Sequence, residues 1–457
     1  MDARVHAPEV SEGQRLHHLA ARLYPICRSI TGAGVRQSLA LIRERIPLVV
    51  HEVPSGTRVF DWEIPDEWNI EDAAVFAADG RRVIDFQAHN LHIVSYSEPV
   101  RATMTLKELA PRLHVQAEHP EWIPYRTSYY QRSWGFCLSA RARAGLAEGR
   151  YRVEIRSSLA RGALTYGELS IPGRSKEEVL LFTHVCHPSL ANDNVSGMAV
   201  ATELATWIAG EPRRFTYRFV FAPGTIGSLT WLKRNESRLR RVRHGLVLGL
   251  LGDPGALTYK RTRHEGREID DAAAYVLAGQ GSVIAFSPYG YDERQLCSPG
   301  FDLPVGRLTR SVNGGYPEYH TSADDLSLIT PQALAHSLAA CRDIVTVLEA
   351  NEYYVNRKPK GEPRLGKRGL YGTLGGGAPE EREQALLWML NQSDGRHSLL
   401  QVARRSGMPL ATLRRAAESL RQAGLLRVAR ATRSTGTSAS GRASRKTHAS
   451  KVRRRQT

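Results

Sequence analysis

The amino-acid sequence predicts an α/β protein, a mostly parallel sheet flanked by helices, with an inserted small β-rich domain and a C-terminal winged-helix-like domain. Three observations predict it. Between Leu169 and Glu349, short apolar runs at 179–183, 217–222, 246–251 and 283–286 alternate with segments of helical spacing. Between 48 and 110 the texture changes to short β-like runs separated by Pro, Gly and Asp. Beyond a Pro/Gly/Lys-rich stretch at 356–377, three short helical segments precede Leu425-Leu426-Arg427-Val428.

Taken in order, residues 15–47 carry Leu16, Leu19, Leu23 and then Leu39, Leu41 and Ile42 at helical spacing, which predicts two helices joined by a loop. They are expected to belong with residues 111–355 as one α/β domain, and residues 48–110 to form the insertion. An aromatic-rich loop, 122–134, either lines a pocket or packs. The last helix of this domain, 331–349, places Leu334, Leu338, Cys341, Val345 and Leu348 on one stripe. Residues 356–377 read as a linker and 378–430 as the winged helix, in which Arg404, Arg405, Arg414, Arg415 and Arg421 are available for phosphate contacts. Such modules also serve protein contacts, so nucleic acid is a possible partner and not the favoured one.

A chain of 457 residues exceeds one ordinary domain. Its net charge of +17 is concentrated: the stretch 431–457 holds eight Lys/Arg and no acid, the composition of a disordered basic tail. Five widely spaced cysteines without a C-x-x-C pair argue against a disulfide framework and a thiolate zinc site. No apolar run approaches the roughly 18 residues of a membrane span, and residues 1–14 are polar. A cytoplasmic protein without membrane contact is expected.

Zinc catalysis needs a few N and O ligands on rigid elements plus an open position for water. Three strand ends supply such residues: His184 and His187 with Asp193, then Asp253, then His320. Polar groups at the carboxyl edge of an open α/β sheet occupy the usual ligand crevice.

Asn192-Asp193-Asn194-Val195-Ser196-Gly197 resembles the N-D-N-x-S-G signature of zinc aminopeptidases of the bacterial leucyl aminopeptidase type, and His320-Thr321-Ser322-Ala323-Asp324 is similar to their H-T-x-x-D motif. More closely, 27–32, 59–62, 133–137, 183–197, 289–295 and 318–324 together resemble a bacterial aminopeptidase-like family. That family carries an inserted β domain and a C-terminal winged helix and is associated with polysaccharide biosynthesis. The resemblance spans roughly 15–430 and implies a zinc-exopeptidase fold and a zinc-dependent hydrolase acting on a small peptide or amide substrate.

Residue by residue, it implies His187, Asp193 and His320 as ligands of one zinc ion. Asp253 is a less secure further ligand, because Gly252-Asp253-Pro254-Gly255 also reads as a capped turn. Asp324 is expected to orient His320 or its loop, and His184 to be structural rather than a ligand. Asp292, Arg294 and Tyr291 are expected to contact substrate. One departure stands out. The family pattern reads P-E-T-I-G-S where this chain has Pro223-Gly224-Thr225-Ile226-Gly227-Ser228, so Gly224 replaces the glutamate that resembles a general base. Glu318 and Glu293 are the candidate substitutes. The alternative is a non-catalytic ligand-binding or regulatory protein whose output is the winged helix.

Overall fold

Every residue of the strand Glu178–His184 is buried, as expected of a run with no polar alternation, and this strand lies inside an eight-stranded sheet of the computed structural model. The structure describes residues 11–370 and 380–429. Helices Gly197–Ala209 and Ile226–Asn235 are the crossovers that make the centre parallel: Glu178–His184 pairs in parallel with Thr216–Ala222 on one side and Val242–Leu248 on the other, and the latter with Val305–Thr309. The flanks are antiparallel. Ala163–Ile171 and Val49–Pro54 extend one edge, and Leu257–Lys260 joins the other against Val305–Thr309; the outermost Gly281–Ile284 departs from this by pairing in parallel with Leu257–Lys260.

The predicted helices pack as their spacing implies. Glu12–Leu23 buries Leu16, Leu19 and Leu23 behind a capping box of Ser11 and Gln14. Pro331–Ala350 begins with Pro at its first turn and Thr330 as cap, and buries Leu334, Leu338, Cys341, Val345 and Leu348.

The insertion differs from the expected 48–110. Val49–Pro54 belongs to the main sheet, paired with Ala163–Ile171. The inserted sheet is Arg82–Asp85, Glu67–Phe76, Arg150–Ala160 and Val100–Thr105, so its long partner strand comes from beyond residue 110. Strand texture is local, whereas partner choice is settled by contacts far apart in sequence.

The chain divides into two units, 1–351 and 352–457. In the second, Tyr353–Asn356 pairs with Asp394–Ser398 and Leu426–Val428, so it belongs to that unit's own sheet rather than to a domain ending at 355. Helices Glu381–Gln392, Leu399–Ser406 and Leu410–Gln422 complete the winged helix. Part of the expected linker, 371–377, the first two and the last residue of the expected winged helix, 378, 379 and 430, and the expected tail lie outside the described residues. Among the described residues no helix is long and apolar enough to cross a membrane, and all five cysteines are free.

Candidate metal centre

The strand Glu178–His184 delivers His184 at the sheet's edge, and the chain then makes an irregular turn, Ala191–Ser196, before the helix Gly197–Ala209. The polar residues of that turn divide their labour. Asn194 Nδ2 donates to Thr183 Oγ1 (2.8 Å) and the His184 carbonyl (3.0 Å). The backbone N–H groups of Leu250, Leu251 and Gly252 donate to Asn194 Oδ1, Ser196 Oγ and Asn192 Oδ1. Those side chains therefore clamp the turn to the neighbouring strand end, and Asp193 is left to face the imidazoles.

Three histidines meet it. His184 Nε2 lies 2.7 Å and His187 Nδ1 3.6 Å from Asp193 Oδ1, while His320 Nε2 lies 3.0 Å from Oδ2. His184, His187 and Asp193 offer donor atoms within 4.8 Å of one another. His184 is thus as close to Asp193 as any partner, although the sequence sets it behind His187. His184, His187 and Asp193 are buried, whereas the His320 side chain is 33% exposed and marks the open side.

Aromatic rings hold these imidazoles. Tyr319 stacks on His320 with centroids 4.0 Å apart, and Tyr125, from the aromatic-rich loop, stands edge-on to both His187 and His320. His320 takes a left-handed backbone (φ +58°), uncommon outside glycine, and its carbonyl is secured by Tyr125 N–H at 2.8 Å. Arg28 adds a buried tie that sequence reasoning missed: its Nε donates to the His187 carbonyl at 3.0 Å.

Burial pushes the His187 imidazole down to about 3, against the pull of Asp193, so the ring is neutral and keeps a lone pair. Burial pushes Asp193 up, yet the facing His187, His184 and His320 outweigh it and hold the carboxyl well below its usual range. The Nδ1 atoms of His184 and His187 are buried without a hydrogen-bond partner. A neutral His187 and two unsatisfied imidazole nitrogens beside an ionised carboxylate are a donor set that suits zinc.

Asp324 and Asp253 serve this set from behind. Asp324 accepts the backbone N–H groups of Asn192 (2.5 Å) and Asp193 (3.0 Å), so it positions Asp193 rather than His320. Asp253 has both oxygens engaged by Asn192 Nδ2, Ser311 Oγ and N, and Gly255 N. The capped-turn reading describes its contacts, and it is not among the residues whose donors converge with His184, His187 and Asp193.

Position 224 is closed. A Cβ placed on Gly224 would stand 2.1 Å from Tyr291 Oη and 2.4 Å from the ring. Tyr291 also packs on His184 (centroids 4.1 Å), and Cys186 Sγ meets both Tyr291 Oη (3.3 Å) and Gly224 N (3.2 Å). Of the other residues expected at the site, Asp292 is fully buried. It accepts from Thr225 N at 2.9 Å, and burial pushes its carboxyl up to about 6 despite His184 nearby. Arg294 is exposed. Glu293 is buried against Lys260 Nζ (2.5 Å) and Tyr291 N, a pairing that occupies the carboxylate proposed as a base. Glu318 bonds Thr321 through its carbonyl, with no contact from its carboxylate to the histidines among those described.

Residues 17–351 match a family model described as a domain of unknown function, DUF4910, and residues 352–428 match a winged helix-turn-helix. The chain belongs to the DUF4910 family. A curated Clostridium acetobutylicum protein, provisionally named for polysaccharide biosynthesis with an aminopeptidase-like domain, is 48% identical over 418 residues, covering 91% of this chain and 96% of that protein. A crystal structure from the same organism, described provisionally as a peptidase, is 47% identical with a TM-score of 0.86, covering 91% of this chain and 96% of that one. The zinc aminopeptidase of Bacillus subtilis superposes with a TM-score of 0.53 at 15% identity, over 74% of this chain and 95% of that one. A peptidase M28 precursor of Shewanella amazonensis gives 0.53 at 14%, over 74% and 93%. At such identities the likeness is one of fold. The α/β domain therefore has the zinc-exopeptidase fold, and a winged helix follows it.

Proposed function

We propose that this chain is a zinc-dependent, aminopeptidase-like hydrolase of a peptide or amide bond whose turnover is slowed because no carboxylate stands at position 224. One observation carries the reading: the two oxygens of the buried Asp193 are shared by three imidazoles at 2.7, 3.6 and 3.0 Å. His184, His187, Asp193 and His320 would hold one zinc ion, with Asp324 and Arg28 keeping Asp193 and His187 in place. When bound, zinc supplies Lewis acidity toward a carbonyl oxygen and makes water more acidic.

The remaining work belongs to side chains. His320, at the exposed side, and Tyr319 border the approach for substrate, and Tyr125 keeps His187 and His320 from rotating. Tyr291 takes the space in which a glutamate would accept a proton, and a positioned base is worth roughly 10²–10⁴-fold in rate. The relative's name supports a setting in polysaccharide biosynthesis, and the absence of a membrane-length helix among the described residues is compatible with a cytoplasmic one.

Zinc content and aminopeptidase or amidase turnover of the purified chain and of His187→Ala test this reading. About one zinc per chain, lost in the variant, is expected; a chain that takes up no zinc under saturating conditions removes the site assignment.

The closure at Gly224 also favours a second reading, a non-hydrolytic ligand sensor whose output is the winged helix. There Arg404, Arg405, Arg414 and Arg415 are exposed, while Arg421 is paired with Glu418. Salt-dependent binding to duplex DNA that survives deletion of 432–457, in a chain without turnover, would select it.

A further inference from the structure

Lys260 and Arg307 are direct cross-strand partners on antiparallel strands, both buried, at 6% and 4% exposure. Like charges so placed repel unless something negative lies between them. Glu293 sets one negative charge against the two: burial pushes its carboxyl up, but Arg307 and Lys260 together hold it below the usual range. It accepts from Lys260 Nζ at 2.5 Å, and the carbonyls of Ser287 (3.1 Å) and Tyr289 (2.8 Å) take the remaining lysine protons, so Lys260 is fully engaged. Arg307 has no ion pair within the distance of a salt bridge among the described residues, and its Nε is buried without a hydrogen-bond partner.

The two cations line a cavity of about 180 Å³ whose walls also include Ser287, Tyr289, Thr309 and Asn313. Tyr289 is 68% exposed, which places solvent beside one wall. Another wall leads to the metal centre: Asn313 Nδ2 donates to Tyr319 Oη at 3.5 Å, and the same ring stacks on His320. A group seated in the cavity is therefore linked to His320 through a single tyrosine and the asparagine that holds it.

We infer that this cavity binds an oxyanion, the carboxylate or phosphate group of a small molecule, with Arg307 as its anchor. A planar guanidinium with free N–H groups matches two oxygens of either anion, and the bound charge relieves the Lys260/Arg307 repulsion that Glu293 only half cancels. Calling that molecule the hydrolase's substrate rests on the proposed function. The anion site itself does not.

The test is calorimetric titration of the full, metal-depleted chain at low ionic strength, with inorganic phosphate and separately with succinate. Saturable binding of at least one is expected, and the stronger names the group. Affinity should fall by roughly tenfold or more in Arg307→Gln, the scale of a lost hydrogen bond to a charged group. Asn313→Asp, which adds a negative charge to the cavity wall and leaves the buried cation in place, should weaken binding as well and decides the matter if Arg307→Gln does not fold. Absence of saturable binding by both anions, or binding unchanged in the folded variants, overturns the inference. Because the readout needs no zinc, its failure leaves the metal centre standing, and a failed zinc measurement leaves the anion site standing.

Discussion

The phenol of Tyr291 occupies the place of a side chain at position 224: an added Cβ on Gly224 would lie 2.1 Å from Tyr291 Oη. The glutamate expected at this position from the family resemblance would have no room beside the ring, so placing one there takes two changes.

Gly224→Glu alone is expected to destabilise the fold by about 1–3 kcal/mol through overpacking and to leave turnover unimproved. Gly224→Glu combined with Tyr291→Ala is expected to raise turnover by roughly 10²-fold or more over the wild type, the lower bound for a positioned base. Melting curves and aminopeptidase assays on both variants check this, and rescue by the single substitution would contradict the occupied volume.

Zinc stoichiometry separates the converging residues from those behind them. His184→Ala, His187→Ala and Asp193→Asn are each expected to abolish tight zinc binding, whereas Asp253→Asn should retain it, because Asp253 is already engaged by Asn192, Ser311 and Gly255. Metal analysis after gel filtration reads the difference. Loss of zinc in Asp253→Asn with the fold intact would restore Asp253 as a ligand.

Asp324 accepts two backbone N–H groups, those of Asn192 and Asp193, at the proposed zinc site. Asp324→Asn keeps the shape but replaces one acceptor oxygen with a donor, so zinc affinity should fall roughly 10–100-fold, the usual cost of a lost supporting contact. Competition with a chelator measures it; an unchanged affinity would make Asp324 a purely structural residue.

His244 makes stability depend on pH. Burial, with Arg243 and Arg214 nearby, pushes its imidazole down to about 3. The unfolded chain takes up that proton from about pH 6.5 downward while the folded chain does not. The stability contributed by neutral His244 is therefore complete above pH 6.5 and lost progressively as pH falls toward 3, at up to about 1.4 kcal/mol per pH unit. Urea unfolding of His244→Leu at several pH values should show a shallower decline by one proton's worth. Parallel slopes for the two proteins would rule His244 out.

Much of the fold was legible in the chain. The apolar runs near 179–183, 217–222 and 246–251 became buried parallel strands, and the stripe Leu334, Leu338, Cys341, Val345 and Leu348 became a buried helix face, because periodicity and burial are consequences of the same side chains. The insertion was misdrawn, since Glu67–Phe76 takes its partner from Arg150–Ala160 and local texture carries no record of pairing. At the site, residue type offered His184, His187, Asp193, Asp253 and His320, the family resemblance narrowed them to Asp193, His187 and His320, and the structure brings these three together.

The sequence by itself determined the fold class, the winged helix, the residue types available at the strand ends and the glycine at 224. Tertiary structure alone decided what those residues do. It brought His184 as near to Asp193 as any other imidazole, turned Asp253 and Asp324 toward backbone and side-chain amides, paired Glu293 with Lys260, and packed Tyr291 against position 224. The reason is geometric: a motif states which groups are present, but direction, burial and competing partners arise only when distant segments pack, and those three settle whether a carboxylate is a ligand, a brace or one half of an ion pair.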